Sequence, residues 1–225
     1  MRKQIYLDLL NTVKYFCAIM GISERKEKQK AELKQLILDA SVKLFAAEGY
    51  EGFSMRKIAD MIEYSPTTVY LHYKDKNEIL FELHELGFQK MQSYNMDLFD
   101  IANPLLRLHK LGENYIRFGL DYPEFYNLMF ILPAPMETLK TKLDCNWKCG
   151  DDALQILKSI ISECMERKLI QPGDVNVMAM AIWGMVHGLV SLAIRDRFAK
   201  LVDACDVVPT MYKALHWMVN VVEEK

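Results

Sequence analysis

The spacing of apolar residues along the chain constrains its fold more than any other feature. Apolar side chains recur at intervals of three and four residues, which is the repeat of an α-helix with one buried face. Runs in which β-branched and polar residues alternate, as they do in strands, are nearly absent. Glycine and proline fall mostly between the periodic stretches. The pattern therefore predicts an all-α protein of about nine helices.

Composition agrees with a folded chain. Hydrophobic residues make up 51% of the 225 residues and charged residues 26%, a balance typical of globular proteins. The length favours a small domain joined to a larger one. Because the formal net charge is only −2, any nucleic-acid-binding surface must be local. The longest apolar run, residues 175–194, contains Asn176 and His187 and is rich in Gly and Ala, so we predict a helix buried in protein and no membrane span.

Cysteine usage predicts a reducing, cytoplasmic environment. The five cysteines are an odd number scattered over a long chain, unlike a secreted disulfide framework. Cys145 and Cys149 are four residues apart and could bind a soft metal or form a redox pair, but no second pair or nearby histidine completes a ligand set. We therefore predict no metal and no cofactor.

Residues 1–22 form an N-terminal extension without a recognisable motif. Asp8, Asn11 and Lys14 interrupt what would have to be the core of a signal peptide. A chain that began at Met20 would enter the first helix directly, so two interpretations stay open: a native extension, or a misassigned start codon that leaves residues 1–19 out of the native protein.

Residues 23–76 are predicted to form a three-helix module. A charged segment from Ser23 leads into a first helix that ends at Gly49, a residue suited to a left-handed cap. The apolar stripe of this helix consists of Leu33, Leu36, Ile37, Ala40 and Leu44.

Two short helices and the start of a longer one follow. Ser54 is a good N-cap for a second helix of about two turns, whose buried face carries Met55, Ile58, Ala59 and Ile62. Ser65 and Pro66 begin a third helix that runs to about Tyr73, because proline is favoured at the first helical position. Asp75 is predicted to cap a fourth helix, with Glu78 in the capping-box position.

Two short helices joined by a three-residue turn, braced by a first helix, form a unit that can lay its second short helix in the major groove of DNA. The face of this helix away from its core residue Val69 carries small hydroxyls and an aromatic ring that suit base edges and thymine methyls. Hydroxyls and cations around it can bind phosphates. The predicted DNA-binding residues are Ser54, Arg56, Ser65, Pro66, Thr67, Thr68, Tyr70, His72, Tyr73, Lys74 and Lys76.

Residues 77–225 are predicted to form an antiparallel helical bundle that binds a ligand and dimerises. The helix from about Asp174 to Phe198 is apolar on nearly every side, and the last helix has a stripe through Met211, Leu215, Met218 and Val222. A helix that is apolar all round needs more cover than a monomer of this size supplies. We therefore expect a C2 homodimer formed by these two helices.

The segment 37–80, ILDASVKLFAAEGYEGFSMRKIADMIEYSPTTVYLHYKDKNEIL, resembles the DNA-binding domain of the TetR family. The resemblance implies a one-component regulator, usually a repressor that binds a double-stranded operator and is released by a ligand. One departure is Glu63, which stands in the turn where the family most often has glycine. If that residue adopts a positive φ, its side chain costs about 1 kcal/mol.

The C-terminal half resembles a branch of that family named for a Trp-His-Gly pattern, through YIRFGLDYPEFYNLMF at 115–130 and WGMVHGLVSL at 183–192. Trp183 and His187 are four residues apart and share a helix face, which permits a polar group beside an aromatic wall. The alternative, that these aromatic residues simply pack the bundle, stays open. The candidate residues for a small apolar or aromatic effector are Phe118, Tyr122, Phe125, Tyr126, Met129, Trp183 and His187.

Two other functions compete with a ligand-controlled regulator. An enzyme could use His187, Asp121 or Glu124 as an acid or base, but the sequence has no catalytic triad, phosphate loop or metal-ligand spacing. A pure interaction module could have lost DNA binding, and Glu63 together with the weak charge supports it. We predict that the protein is not an enzyme.

Overall fold

The computed structural model of the protein describes residues 2–135, 148–198 and 200–222, and of residues 2–23, 148, 221 and 222 only the backbone. These residues form nine α-helices and no β-strand, which confirms the predicted all-α class. The chain divides into two compact units, Met1–Ile79 and Leu80–Lys225.

The first unit begins with α1 (Arg2–Gly52), followed by α2 (Met55–Met61), α3 (Pro66–Tyr70) and α4 (Lys76–Ser93), whose remainder belongs to the second unit. The first helix is longer than predicted, because the backbone is helical from Arg2 onward. Gly49 interrupts it as expected, with a φ of 63° that glycine adopts without steric cost. One further turn follows the interruption and ends at Gly52.

The apolar stripe of α1 is buried except at its edge. Ile37, Ala40 and Leu44 are all buried, but Leu36 is 43% exposed, so its assignment to the buried face was wrong. The stripe on this helix is narrower than the i, i+3, i+4 pattern suggests, and Leu36 lies outside it.

The second unit continues with α5 (Pro104–Asp121), α6 (Pro123–Phe130), α7 (Lys148–Glu166), α8 (Val175–Ala193) and α9 (Val207–Val222). Side chains cap two of these helices: the Asn103 carboxamide accepts the first N–H groups of α5, and the Asp174 carboxylate accepts those of α8. Helix α8 ends about five residues earlier than predicted. The chain then turns through Asp196, which has a φ of 55°.

Helix α5 is central to the second unit and packs against α7, α8 and α9. Arg107 of α5 is buried and donates to the Glu163 carboxylate of α7 at 2.6 Å and, through Nε, to the backbone oxygen of Ile101 at 3.0 Å. Gly112 and Gly119 let α5 approach its neighbours, because a Cβ at these positions would overlap Leu215 of α9 and Val190 of α8 respectively. This packing encloses one hydrophobic core.

Replacement of Gly119 by alanine is expected to lower the free energy of unfolding by up to about 2 kcal/mol. Overpacking against Val190 costs about 1–3 kcal/mol, and the better helix propensity of alanine, about 1 kcal/mol, offsets part of it. Urea unfolding followed by circular dichroism measures the change. The additional change Val190→Ala should cost less in the Gly119→Ala background than in the wild type, and additive effects would contradict the close approach.

Within the described ranges, one helix, α8, is long and apolar enough to cross a membrane by the criteria of length and composition alone. Helices in the core of proteins that have no membrane segment can meet the same criteria. Most of α8 is nevertheless uncovered: Met180 is 72% exposed, and Val177, Trp183 and Leu192 are exposed as well. This helix, which was predicted to be apolar on nearly every side, thus has an apolar face that is exposed in a single subunit.

Candidate nucleic-acid interface and ligand cavity

The two short helices begin at the predicted caps. The Ser54 hydroxyl accepts the Lys57 N–H at 3.3 Å, and the Ser65 hydroxyl accepts the Thr68 N–H at 3.2 Å. Helix α3 is shorter than predicted and ends at Tyr70, but the Tyr73 N–H still donates to the Val69 oxygen at 3.0 Å. The backbone therefore keeps a helical turn beyond the assigned end of α3.

The start of α4 is fixed by two carboxylates. The Asp75 carboxylate accepts the N–H groups of Asn77 at 2.9 Å and Glu78 at 3.0 Å, as predicted. The Glu78 carboxylate accepts the N–H of Lys74 at 2.8 Å, one residue earlier than in a standard capping box. Both bonds hold the segment from Lys74 to the first turn of α4 in one conformation.

The turn between α2 and α3 contains a strained residue. Glu63 has a φ of 59°, in the left-handed region that favours glycine. The cost expected for a side chain at this position therefore applies. The Glu63 N–H donates to the Asp60 oxygen at 3.3 Å and the Tyr64 N–H to the Ala59 oxygen at 3.0 Å, which anchors the turn to the end of α2.

Replacement of Glu63 by glycine is expected to raise the free energy of unfolding by up to about 1 kcal/mol. The change removes the clash of a Cβ in a left-handed conformation, which costs about 1–2 kcal/mol, and the greater freedom of glycine in the unfolded chain offsets part of this gain. The unfolding temperature of Glu63→Gly is compared with that of Glu63→Ala, which also removes the carboxylate but keeps the Cβ. The difference between the two variants isolates the backbone effect. A destabilised Glu63→Gly variant would show that the carboxylate matters more than the backbone.

Helix α3 has one buried and one open face. Val69 is fully buried, whereas Thr67 and Tyr70 are exposed, Tyr70 to 54%, and Pro66 and Thr68 are half-buried. Leu71, just after the helix, is 76% exposed and was not among the predicted contacts. It lies two residues after the buried Val69 and hence on the opposite side of the helix.

Tyr73 does not belong to this open face. Its side chain is only 1% exposed and packs in the core of the first unit, with Lys34 Nζ 5.2 Å from the ring centroid. The prediction that Tyr73 contacts DNA is therefore corrected. The turn at residues 71–72 directs the chain back toward α1, so that Tyr73 is buried like Val69, four residues before it.

Cationic side chains of the first unit differ in how they are held. Arg56 and Lys74 are exposed, whereas Lys76 Nζ lies 4.3 Å from the centroid of the Tyr50 ring. Burial, and then the charges of Lys30 and Lys34, lower the pKa of His72. His72 is therefore neutral near pH 7 and can offer a phosphate an N–H donor without a positive charge.

The second unit contains an apolar cavity of about 180 Å³. An engineered apolar cavity of about 150 Å³ holds benzene, so this volume suits a ring with a few additional atoms. Helices α4 to α8 all contribute to the wall, which includes Phe88, Met91, Leu108, Tyr115, Phe130 and Trp183. None of the lining residues in the described part of the chain is charged.

Only one of the seven predicted ligand residues, Trp183, lines this cavity. Phe118, Phe125, Tyr126 and Met129 are buried in the core, so the alternative interpretation as packing residues holds for them. Tyr122 and His187 also lie outside the wall. The prediction missed Tyr115 and Phe130, although both belong to the aromatic segment that it considered.

A hydrogen-bonded network adjoins the cavity. Trp183 Nε1 donates to Tyr115 Oη at 3.3 Å, and Tyr115 Oη lies 3.2 Å from His187 Nδ1. Tyr126 Oη lies 2.8 Å from the same nitrogen and donates to the backbone oxygen of His187 at 2.9 Å. Burial and the charge of Arg195 lower the pKa of His187, and burial is the main cause that raises the pKa of Tyr115. All four groups are therefore uncharged near pH 7.

No group of three or more His, Cys, Asp or Glu side chains in the described ranges could hold a metal ion. The considered pair Cys145 and Cys149 lies partly outside them, because Cys145 is not among the described residues.

Two family models match the chain. The model of bacterial regulatory proteins of the tetR family matches residues 37–83, and a tetracyclin repressor-like C-terminal domain matches residues 108–215. The first match contains α2, α3 and the start of α4, and the second contains most of the cavity wall.

Individual proteins agree with these models. The HTH-type transcriptional regulator AcrR of Shigella flexneri is 38% identical over 64 residues, which span 28% of this chain and only 30% of that protein. The fatty acid metabolism regulator protein of Bacillus subtilis (strain 168) is 26% identical over 171 residues, 73% of this chain and 84% of that protein. The crystal structure of the TetR family transcriptional regulator PfmR from Thermus thermophilus shares the fold, with a TM-score of 0.59 and 20% identity over 84% of this chain and 99% of that one.

Proposed function

Because the chain belongs to the TetR family of bacterial regulatory proteins and is a DNA-binding transcription regulator rather than an enzyme, we propose that it is a homodimeric repressor. In this proposal the dimer binds a palindromic operator through α3 of each subunit and releases it when a small apolar molecule binds the second unit. The more specific assignment to a Trp-His-Gly branch stays a prediction.

The open face of α3 is the observation that carries the proposal. Thr67 and Tyr70 project from this face, while Val69 on the other side is fully buried and fixes the helix in its module. Small hydroxyls and an amphipathic ring can read base edges and thymine methyls in the major groove. Leu71 adds a large apolar surface that also suits a thymine methyl.

Phosphate contacts are assigned to groups around α3. Arg56 and Lys74 have open side chains, and Lys76 adds a third cation at the start of α4, where the Asp75 carboxylate already accepts the N–H groups of the first turn. The hydroxyls of Ser54 and Ser65 already accept backbone N–H groups, so we assign them a capping role. Ser65 Oγ also lies 2.9 Å from Thr68 Oγ1, so one of these two hydroxyls already donates its proton to the other. These contacts position α3 without reading sequence.

A second copy of the chain is proposed to cover the open faces of α8 and α9. Met180 of α8 and Trp217 of α9, the latter 67% exposed, are large apolar side chains that a lone subunit leaves in water. A Cβ at Gly184 or Gly188 would meet no described atom within 4 Å. Two glycines one turn apart, open on an apolar helix, allow the backbone of a partner helix to come close. To bind two half-sites in successive major grooves, such a dimer has to present its two copies of α3 about 34–36 Å apart.

Release by a ligand is proposed as a shift between two populations of the dimer. In one population the spacing of the two DNA-binding units fits the operator, and in the other it does not. A ligand that binds the second population more tightly lowers operator affinity by the difference between its affinities for the two populations. A coupling of about 1–3 kcal/mol corresponds to a roughly 5- to 150-fold loss of affinity, enough to relieve repression. DNA is the partner in this mechanism, so the protein is expected to work in the cytoplasm.

An unbiased oligonucleotide selection with the purified full-length protein at moderate salt tests DNA recognition. We expect enrichment of a palindrome whose half-sites are about one helical turn apart. Absence of any sequence preference, with and without cell metabolites, would instead favour an interaction module that has lost DNA binding.

Deletion of the gene tests the repressor role. Transcription next to the selected operator should rise, whereas a fall would identify an activator.

A further inference from the structure

The wall of the cavity has a restricted hydrogen-bonding capacity. Its polar groups in the described part of the chain are Gln92, Asn95, the Tyr115 hydroxyl and the Trp183 indole N–H. Asn95 is engaged at both ends, because its oxygen accepts from Asn114 Nδ2 at 3.0 Å and its nitrogen donates to the Met91 oxygen at 3.5 Å. The Trp183 N–H is engaged with Tyr115.

The network behind the wall determines where the proton of Tyr115 points. Tyr126 donates its proton to the His187 backbone oxygen, so its 2.8 Å contact with His187 Nδ1 requires a proton on that nitrogen. The Tyr115 hydroxyl is hydrogen-bonded to Tyr126 and lies 3.2 Å from the same nitrogen, so its proton has an acceptor within the network in either tautomer of His187. Tyr115 Oη therefore uses its proton within the network and one lone pair toward Trp183.

One lone pair of Tyr115 Oη then remains for a ligand, since a hydroxyl accepts up to two hydrogen bonds. The Gln92 side chain, which makes no hydrogen bond to the described residues, is the second group with open capacity. An anion would find no cation among the described wall residues and only the Gln92 amide as an open donor, so it would lose most of its hydration without compensation.

We propose that this cavity binds a neutral, mainly apolar molecule of about one ring that donates a single O–H or N–H hydrogen bond to Tyr115 Oη, and that it rejects carboxylates. This inference rests on the proposed function, because it specifies the ligand class of the same regulator. Tyr115 is the residue that sets the specificity.

Three probes of nearly equal size test the proposal by isothermal titration calorimetry at pH 7.5: 4-ethylphenol, 4-ethylanisole and 4-ethylbenzoate. We expect 4-ethylphenol to bind, 4-ethylanisole to bind roughly 3- to 10-fold more weakly because it lacks the proton, and 4-ethylbenzoate to bind at least about 30-fold more weakly. Equal affinity for the phenol and the anisole, tighter binding of the benzoate, or no heat from any probe at millimolar concentration would overturn the proposal.

A variant pair assigns the preference to one hydroxyl. Tyr115→Phe should remove the difference between 4-ethylphenol and 4-ethylanisole, whereas Tyr122→Phe, whose hydroxyl lies outside the wall, should keep it. Thermal unfolding checks that both variants are folded; if Tyr115→Phe unfolds, the probe series on the wild type still decides. Because these measurements contain no DNA, they can succeed when operator binding fails, and operator binding can succeed when they fail.

Discussion

Replacement of Tyr70 by alanine is expected to lower the affinity for the selected operator by about 30-fold or more. A base contact contributes about 1–3 kcal/mol, and a homodimer loses it in both half-sites, so the expected total is about 2–6 kcal/mol. Tyr70 is 54% exposed, so its removal leaves no cavity in the core and should not change the unfolding temperature noticeably. Fluorescence anisotropy with the operator and with a scrambled duplex measures the effect.

The scrambled duplex and two further variants identify the kind of contact. Tyr64→Ala removes another exposed tyrosine of the same module, from the turn before α3, and should change affinity much less. Lys76→Ala should weaken binding to both duplexes and make binding less dependent on salt, as expected for a phosphate contact. If Tyr70→Ala weakens both duplexes equally, Tyr70 contacts the backbone and does not read the sequence.

The local structure of the DNA-binding module could be predicted because it depends on neighbouring residues. The caps at Ser54, Ser65 and Asp75 follow from a side-chain oxygen two or three residues from an unsatisfied N–H. The positive φ at Glu63 agrees with the glycine that the resemblance to the TetR family implies at this position of the turn. In both cases the relevant distance along the chain is a few residues.

Exposure of individual side chains in the same module was harder to predict. Tyr73 and Tyr70 differ by three residues and were both assigned to DNA, but only Tyr70 is exposed. Leu71 was not among the predicted contacts, although it is the most exposed of the three. Burial of Tyr73 depends on packing near Lys34 of α1, a long-range contact that the helical period alone does not specify.

The ligand residues show the same limit in the second unit. Phe118, Phe125 and Tyr126 cluster in sequence and were candidates for a cavity wall with core packing as the alternative, and all three are buried in the core. The wall that the structure shows combines residues from five helices. The group that we propose to set its specificity, Tyr115, is held by a hydrogen-bonded network with His187, which lies on a helix far from it in sequence. An aromatic stripe at helical spacing is typical both of residues that pack a core and of residues that line a cavity.

A charge at the open glycine of α8 is expected to separate the proposed dimer. In Gly184→Arg the new Cβ meets no described atom of its own subunit within 4 Å, so the subunit should still fold, with the helical circular dichroism of the wild type. In the dimer the same side chain would stand where a partner helix approaches, and an arginine without a partner is expensive to bury. Light scattering after size exclusion should then give the mass of one subunit, where the wild type gives two.

The affinity of Gly184→Arg for the operator is the second measurement on this variant. It tests whether operator binding depends on the proposed interface at α8. A monomer contacts one half-site, so it loses the gain from simultaneous binding, which amounts to roughly 10²- to 10⁴-fold in affinity. Ser159→Arg on the exposed side of α7 adds the same charge and should leave both mass and affinity unchanged. If Gly184→Arg stays dimeric with full operator affinity, α8 is not at the interface, and its apolar face must be covered by something other than a second copy of the chain. If it is monomeric and still binds the full operator tightly, the palindrome is not read by two subunits held together through α8.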